Sequence, residues 1–317
     1  MTHTQKTWHI LGAGAIGCLW AIRLQTAGVP VRLILSERKV CSLKGSTALE
    51  LEFRRATTHS AAEKISLPIA QTSEHPQNVL LATKANDALG ALQSRRASLS
   101  DCRNIVTLCN GMGYHADIQE LLPTASIFAI STTDGAYFQG ENSLVMAGKG
   151  MNKISRLVCD SNEHRNTLES IARQLSSRGH RLQTRINSAR MLMDKLLINA
   201  CINGLTAIHD CQNGGLLANG VIRAELNQLI DECQAVATAS GFQSLASPLP
   251  ERVKNVVKVT QNNYSSTYMD IKLGRKTEID YINAYLCKAA DQLNVPAPIN
   301  TKIVSTIRKL EKAAQHP

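Results

Sequence analysis

The residues that most constrain this chain are Gly12-Ala13-Gly14-Ala15-Ile16-Gly17, a G-x-G-x-x-G string set between an apolar tetrapeptide, Trp8-His9-Ile10-Leu11, and an apolar stretch of helix length over residues 15–27. A strand that turns directly into a helix uses glycines at these spacings for separate reasons. The first permits the tight turn, the second lets backbone approach a diphosphate, and the third lets helix pack closely on strand. The helix then offers unpaired N–H groups and a positive dipole end to an anion. Glycines also mark plain turns, but in this strand–turn–helix setting they predict a dinucleotide-binding unit at the start of the chain.

The pattern that follows supports that reading. Short apolar runs at 31–35, 78–82, 104–108 and 126–130 predict strands, and amphipathic segments near 87–96 and 116–122 predict helices between them, as in a parallel βαβ sheet. Residues 142–155 read as edge strands, 163–177 as a helix and 180–184 as a last strand. Beyond about 186 helix-length patterns dominate, at 189–205, 221–240, 249–260, 278–293 and 301–312. The expected fold class is α/β: an N-terminal Rossmann-type dinucleotide-binding domain over residues 1–186, followed by an all-helical substrate and catalytic domain over residues 187–317. A chain of 317 residues accommodates two such domains.

Composition narrows the setting. Residues 1–5 are polar and no leader pattern precedes the first strand, and no run of about 18 apolar residues suggests a membrane span, so a cytoplasmic protein without a membrane partner is expected. The nine cysteines are scattered, with no C-x-x-C pair, so no metal and no disulfide framework are expected. The net charge of +10 invites a nucleic-acid reading, but Arg54-Arg55, Arg95-Arg96 and the mixed stretch 302–312 are not interleaved with aromatics. A basic surface whose field attracts small anions is the better account.

Two clusters carry the chemistry. Strand two ends in Ser36-Glu37-Arg38-Lys39. An acid there would hold a ribose 2′-hydroxyl, as in NAD, whereas Arg or a hydroxyl would accept the 2′-phosphate of NADP. Ser36, Arg38 and Lys39 favour NADP and Glu37 opposes it, and a plain polar loop is the third possibility. The second cluster is Lys195, Asn199 and Asn203, spaced i, i+4, i+8 on one helical face with only apolar residues between them. Buried ammonium and carboxamide groups are costly unless partnered. Either they bond across to neighbouring helices, with Lys195 reaching the surface, or they line a wet cleft where Lys195 is a general acid and the amides orient an oxygen-rich substrate. Glu278, in Thr277-Glu278-Ile279-Asp280-Tyr281, is either a nearby carboxylate or a first-turn acid of a helix capped by Thr277.

These motifs, with Ala82-Thr83-Lys84-Ala85, Asn110-Gly111-Met112-Gly113, Asn203-Gly204-Leu205-Thr206-Ala207, Cys211-Gln212-Asn213-Gly214, Asn263-Tyr264-Ser265-Ser266 and the run through Ile282-Asn283, resemble those of the ketopantoate reductase family in order and spacing over nearly the whole chain. The resemblance implies NADPH-dependent reduction of the 2-keto acid 2-dehydropantoate to pantoate, in pantothenate biosynthesis, by a monomer or homodimer. It implies a site between the two domains, with Lys195 as proton donor and Glu278 near both it and the cofactor. Asn199, Asn203, Asn213, Asn263 and Ser266 would position substrate. Asn110 would sit where nicotinamide and substrate meet, and Ser36, Arg38, Lys84 and Ala136, with the glycine loop, near NADP(H). Two positions depart from the pattern. Ser36 stands where the family commonly has Arg, and Gly204 where it commonly has Pro, which bends or stops a helix. The competing expectations are a reductase of another small 2-keto acid on the same architecture and a non-catalytic NADP-binding sensor.

Overall fold

The computed structural model describes residues 6–56, 61–158, 160–177 and 180–315; residues 1–5 and Cys159, both read above, lie outside them. The chain divides into two compact units, Met1–Cys109 with Tyr114–Met191, and Asn110–Gly113 with Leu192–Pro317. A single cut along the sequence does not express the placement of the short segment Asn110–Gly113.

The first unit runs β1 (Trp8–Leu11), α1 (Ala15–Thr26), β2 (Val31–Ile34), α2 (Glu37–Ser42), β3 (Ala48–Arg55), β4 (Glu63–Pro68), β5 (Asn78–Leu81), α3 (Ala85–Gln93), β6 (Asn104–Thr107), α4 (Tyr114–Leu121), β7 (Ser126–Thr132), β8 (Gly135–Gln139), β9 (Ser143–Gly148), β10 (Asn152–Arg156), α5 (Asn162–Leu175) and β11 (Leu182–Thr184). Its main sheet has seven strands in the order β11-β10-β7-β6-β5-β1-β2. Strands β2, β1, β5, β6 and β7 are parallel, and β10 is antiparallel to β7. Every residue of β1 and β5 is buried, as expected of central parallel strands covered on both faces. The chain order reverses between β1 and β5, and open α/β sheets bind ligands beyond the carboxyl ends of strands at such a point.

A second sheet, in the order β4-β3-β9-β8, explains the character of α1. In β3, Leu49, Leu51 and Phe53 point inward and Glu50 and Glu52 outward, so this sheet has one dry face. Helix α1 packs on β1 and β2 and also on β4, β8 and β9. Covered by both sheets, it buries Cys18, Leu19, Trp20, Ala21, Ile22 and Leu24, and so is apolar almost all round rather than along one stripe.

Three local expectations are corrected. Residues 142–155 are not at an edge: β9 lies between β3 and β8, and β10 between β7 and β11, because Leu144, Val145 and Ile154 are fully sealed. Residues 36–39 form the start of α2 rather than a loop, since Ser36 Oγ accepts from Lys39 N at 3.4 Å and caps the helix. The expected helix over 278–293 is broken into a 3₁₀ turn, Ile279–Tyr281, and α12, with Ile282 between them at φ −110° and ψ −88°.

Helix α6 (Ser188–Ile208) leads into the second unit, followed by α7 (Gly215–Ala218), α8 (Gly220–Ala239), α9 (Gln243–Ala246), α10 (Leu249–Val259), α11 (Ser266–Lys272), α12 (Asn283–Gln292) and α13 (Pro298–Gln315). Leu197, Leu226, Leu229, Leu286, Ile303 and Ile307 anchor its separate core. A buried polar chain ties the helices together: Asn283 Nδ2 donates to Ala200 O and Asn300 Oδ1, each at 3.0 Å, and Asn300 Nδ2 donates to Glu232 Oε2 at 2.9 Å. Helix α6 runs unbroken through Gly204, where a Cβ would lie 2.5 Å from Ile303 Cγ2; the glycine admits α13 where a proline would bend the helix. Among the described helices α6 alone is long and apolar enough to cross a membrane, and 72% of its most apolar window is buried inside the protein, as in a core helix.

Candidate active site

In the first unit the glycine turn lies at the switch point. Gly12 has φ +109°, and a Cβ there would come within 2.7 Å of Thr83 N and 2.8 Å of Ala82 C, just past β5. A Cβ on Gly17 would meet Gly12 O at 2.0 Å. These two glycines are therefore required by backbone-on-backbone contact, the first also by its left-handed backbone. Gly14 differs. It is exposed, and a Cβ there would meet nothing within 4 Å, so no protein atom demands glycine at this position. It is the N-cap of α1, and no side chain caps that end. An open cradle over uncapped helical N–H groups fits a diphosphate.

The other expected cofactor residues of this unit lie on the elements around that turn. Gly12 N donates to Ile34 O at 3.5 Å, which sets the end of β2, and so Ser36, beside it. Ser36 and Arg38 are both exposed. Lys84 is the half-buried N-cap residue of α3, immediately after the Ala82–Thr83 backbone that faces Gly12. Ala13, Ala15, Ile16 and Ala136 pack partly buried against the core of the unit, Ala136 from β8.

In the second unit a chain of hydrogen bonds links three expected residues. Lys195 Nζ donates to Asn110 Oδ1 at 2.6 Å, and Asn110 Nδ2 donates to Glu278 Oε2 at 2.6 Å. Asn110 N donates to the other oxygen, Glu278 Oε1, at 3.3 Å. The carboxamide thus offers its acceptor to an ammonium and its donor to a carboxylate, so its orientation is dictated by both neighbours. Glu278 is only 7% exposed; it follows Thr277, whose hydroxyl accepts from Ile279 N at 3.2 Å, and is itself the N-cap residue of the 3₁₀ turn. The segment carrying Asn110 is stitched down by Met112 N donating to Tyr281 O at 2.9 Å. Gly111, with φ +84°, fits only because it has no Cβ, which would lie 2.3 Å from Tyr281 O.

One and two turns along α6 the stripe continues. Asn199 is half-buried, and its carboxamide has no hydrogen-bond partner among the described residues. Asn203, 8% exposed, donates from Nδ2 to Ser266 Oγ at 3.4 Å. Beneath it Thr206 Oγ1 donates to Ser265 Oγ at 2.8 Å, and Ser265 Oγ accepts from Tyr268 N at 3.1 Å to cap α11. Asn263 is exposed, and its carbonyl accepts from Asn213 N at 2.9 Å. Asn213 Nδ2 donates to Thr260 Oγ1 at 2.8 Å, while Asn213 Oδ1 is buried without a partner. Asn110, Lys195 and Glu278 therefore meet directly, as do Asn203 with Ser266 and Asn213 with Asn263. Asn199 stands between these groups on the helix, its amide unsatisfied by protein. Sequence reading missed the backbone support from Tyr281 and the Thr206–Ser265 hydroxyl pair. The only signal for the first was the Gly111-Met112-Gly113 spacing; the second left none.

Comparison with known proteins followed the same division of the chain. A family model described as "Ketopantoate reductase PanE/ApbA" matches residues 8–158, and one described as "Ketopantoate reductase PanE/ApbA C terminal" matches residues 187–311. A 2-dehydropantoate 2-reductase of Vibrio cholerae serotype O1 is 28% identical over 305 residues, covering 96% of this chain and 97% of that protein. Among solved structures, a PanE/ApbA family ketopantoate reductase from Ralstonia eutropha JMP134 has a TM-score of 0.83 at 24% identity, covering 98% of this chain and 100% of that one. A ternary structure of D-mandelate dehydrogenase with NADH and anilino(oxo)acetate has a TM-score of 0.84 at 23% identity, covering 97% of this chain and 99% of that one. At such identities the two solved structures speak to the fold alone.

Proposed function

The chain belongs to the ketopantoate reductase family, and from that premise we propose that it is an NADPH-dependent cytoplasmic enzyme that reduces 2-dehydropantoate to pantoate for pantothenate biosynthesis. The observation that carries this reading is the Lys195–Asn110–Glu278 chain, a single ammonium oriented through a carboxamide by a buried carboxylate. NADPH, when bound at the glycine turn, supplies the hydride that reduces the keto carbon. Lys195 is the general acid: its ammonium donates a hydrogen bond to the keto oxygen and gives up a proton as that oxygen becomes an alkoxide. A cation aimed at charge that grows only during the reaction lowers the barrier more than it tightens ground-state binding.

Asn110 fixes where the ammonium points, and Glu278 fixes Asn110. The half-buried Asn199 amide, without a partner among the described residues, offers both a donor and an acceptor, so it is the first candidate to hold a substrate oxygen. Asn203 with Ser266, and Asn213 with Asn263, extend the polar row to further substrate oxygens. In the first unit the 12–17 loop holds the diphosphate, with Ser36, Arg38, Lys84 and Ala136 around the rest of the cofactor. We take the assembly to be a monomer or homodimer that acts on a small-molecule substrate.

The test is Lys195→Ala. Loss of a general acid lowers kcat by about a hundredfold or more, while NADPH affinity, measured by titration, stays within about twofold because on this reading the glycine turn, not Lys195, holds the diphosphate. A variant with undiminished kcat would overturn the reading and favour a binding protein without catalysis.

A further inference from the structure

The basic pair Arg95-Arg96 looked like ordinary surface charge in the sequence, but the structure gives its first member a specific place. Arg95 lies just past α3, and its guanidinium reaches across to β2, where Nη2 donates to Leu35 O at 3.1 Å. Leu35 is 3% exposed and directly precedes Ser36, so a half-buried cation is tethered to the backbone at the position where a dinucleotide fold tells ribose from ribose phosphate. Among the described residues the Arg95 guanidinium has this carbonyl, and no carboxylate, as its partner.

Ser36 and Arg38 at this strand end are poorly suited to fix a phosphate. Ser36 Oγ is engaged as the cap of α2 by Lys39 N at 3.4 Å. Arg38 is exposed on that short helix, and Glu37 beside it repels an anion. A guanidinium carries five N–H donors on a planar fork matched to phosphate oxygens. One donor on Leu35 O orders the side chain, and the remaining ones keep their hydrogen-bonding capacity.

Resting on the NADPH reading above, we infer that Arg95 is the residue that binds the 2′-phosphate of the cofactor and sets the preference for NADPH over NADH. It supplies from α3 the cation that β2, ending in Ser36, does not. The charge outweighs Glu37 because Arg95 is held in place, whereas Glu37 is a solvated side chain whose field is screened.

The experiment is calorimetric titration of NADPH, NADH and adenosine 2′,5′-bisphosphate into the wild type, Arg95→Ala and Arg95→Gln. The glutamine variant keeps a polar N–H donor on a shorter side chain but has no charge. Wild type should prefer NADPH. Both variants should lose about tenfold to a hundredfold in affinity for the two 2′-phosphorylated ligands, the range for a charge-assisted hydrogen bond, with NADH affinity changed less than about twofold. Equal weakening of NADPH and NADH in both variants would make Arg95 a prop for the end of β2 and overturn the inference. Preference for NADPH that survives in both variants would also overturn it, while leaving the cofactor reading standing. A wild type that binds NADH as tightly as NADPH would overturn the NADPH reading and the inference with it.

Discussion

The two units present polar groups by opposite means. The first works with backbone: at Gly12, Gly14 and Gly17 what matters is the missing side chain, and helix α1 contributes peptide N–H groups. The second works with side chains, in that Lys195 on α6, Asn110 and Glu278 are arranged by one another's hydrogen bonds at 2.6 Å. At Gly12 and Gly17 backbone faces backbone, and an added atom has nowhere to go. A side-chain site tolerates truncation structurally and loses its chemistry. Substitutions in the two units should therefore fail in different observables.

The largest contrast is expected at Gly12. Gly12→Ala places a Cβ 2.7 Å from Thr83 N on a residue with φ +109°, and neither the backbone it meets nor the left-handed conformation can give way cheaply. NADPH affinity should fall by a hundredfold or so, since the turn must shift and hydrogen bonds to the diphosphate weaken steeply once their geometry is lost, and the thermal midpoint should fall as well. Near-native cofactor titration in this variant would break the assignment of the turn. Next is Asn199→Ala. The amide has no protein partner to strand, so the melting curve should not change, whereas KM for the keto acid should rise about tenfold, the worth of a lost hydrogen bond of about 1.5 kcal/mol. An unchanged KM would remove Asn199 from the substrate row.

Acid offers a whole-unit comparison. Burial depresses the His115 imidazole to about 4 from 6.5, and burial together with the Arg23 cation does the same to His180. Asp134 is pulled the same way, to about 2 from 3.8: burial alone would raise it, but Arg23, Gly150 N and Asn152 outweigh that by stabilising the carboxylate. All three belong to the first unit. The unfolded chain binds protons on these groups before the folded one does, so stability they contribute at neutral pH is lost as pH falls, first from 6.5 to about 4 through the histidines and then from 3.8 to about 2 through Asp134. In calorimetric melts at pH 5 the transition that carries NADPH binding should shift down further than the other. A larger shift in the second unit would contradict this. The smallest effect is expected for Gly14→Ala. It has no clash to relieve, so stability should be kept and NADPH affinity lowered only severalfold, by crowding of the diphosphate.

Much of this division was legible in the residues, for identifiable reasons. The glycine string and the i, i+4, i+8 polar stripe are local patterns, and each marks a backbone or helical geometry that only a few arrangements satisfy. The strands of the main sheet were visible as short apolar runs because parallel strands are dry on both faces. Strands β3, β4 and β8 were not, because they form a sheet with one wet face: β4 reads Glu63-Lys64-Ile65-Ser66-Leu67-Pro68, with charges at one end and a proline at the other. The union of Asn110 with Lys195 and Glu278 joins residues 85 and 168 positions apart, a distance no local pattern spans; only the family resemblance pointed to it. Arg95 was read as surface because nothing in its neighbourhood records that β2 ends beside it.

The most direct measurement of the central claim is NADPH oxidation by the purified protein across a panel of small 2-keto acids. 2-Dehydropantoate should be turned over with the highest kcat/KM, and phenylglyoxylate, the keto acid corresponding to mandelate, with a much lower one. No turnover of 2-dehydropantoate, or a clear preference for another keto acid, would contradict the account.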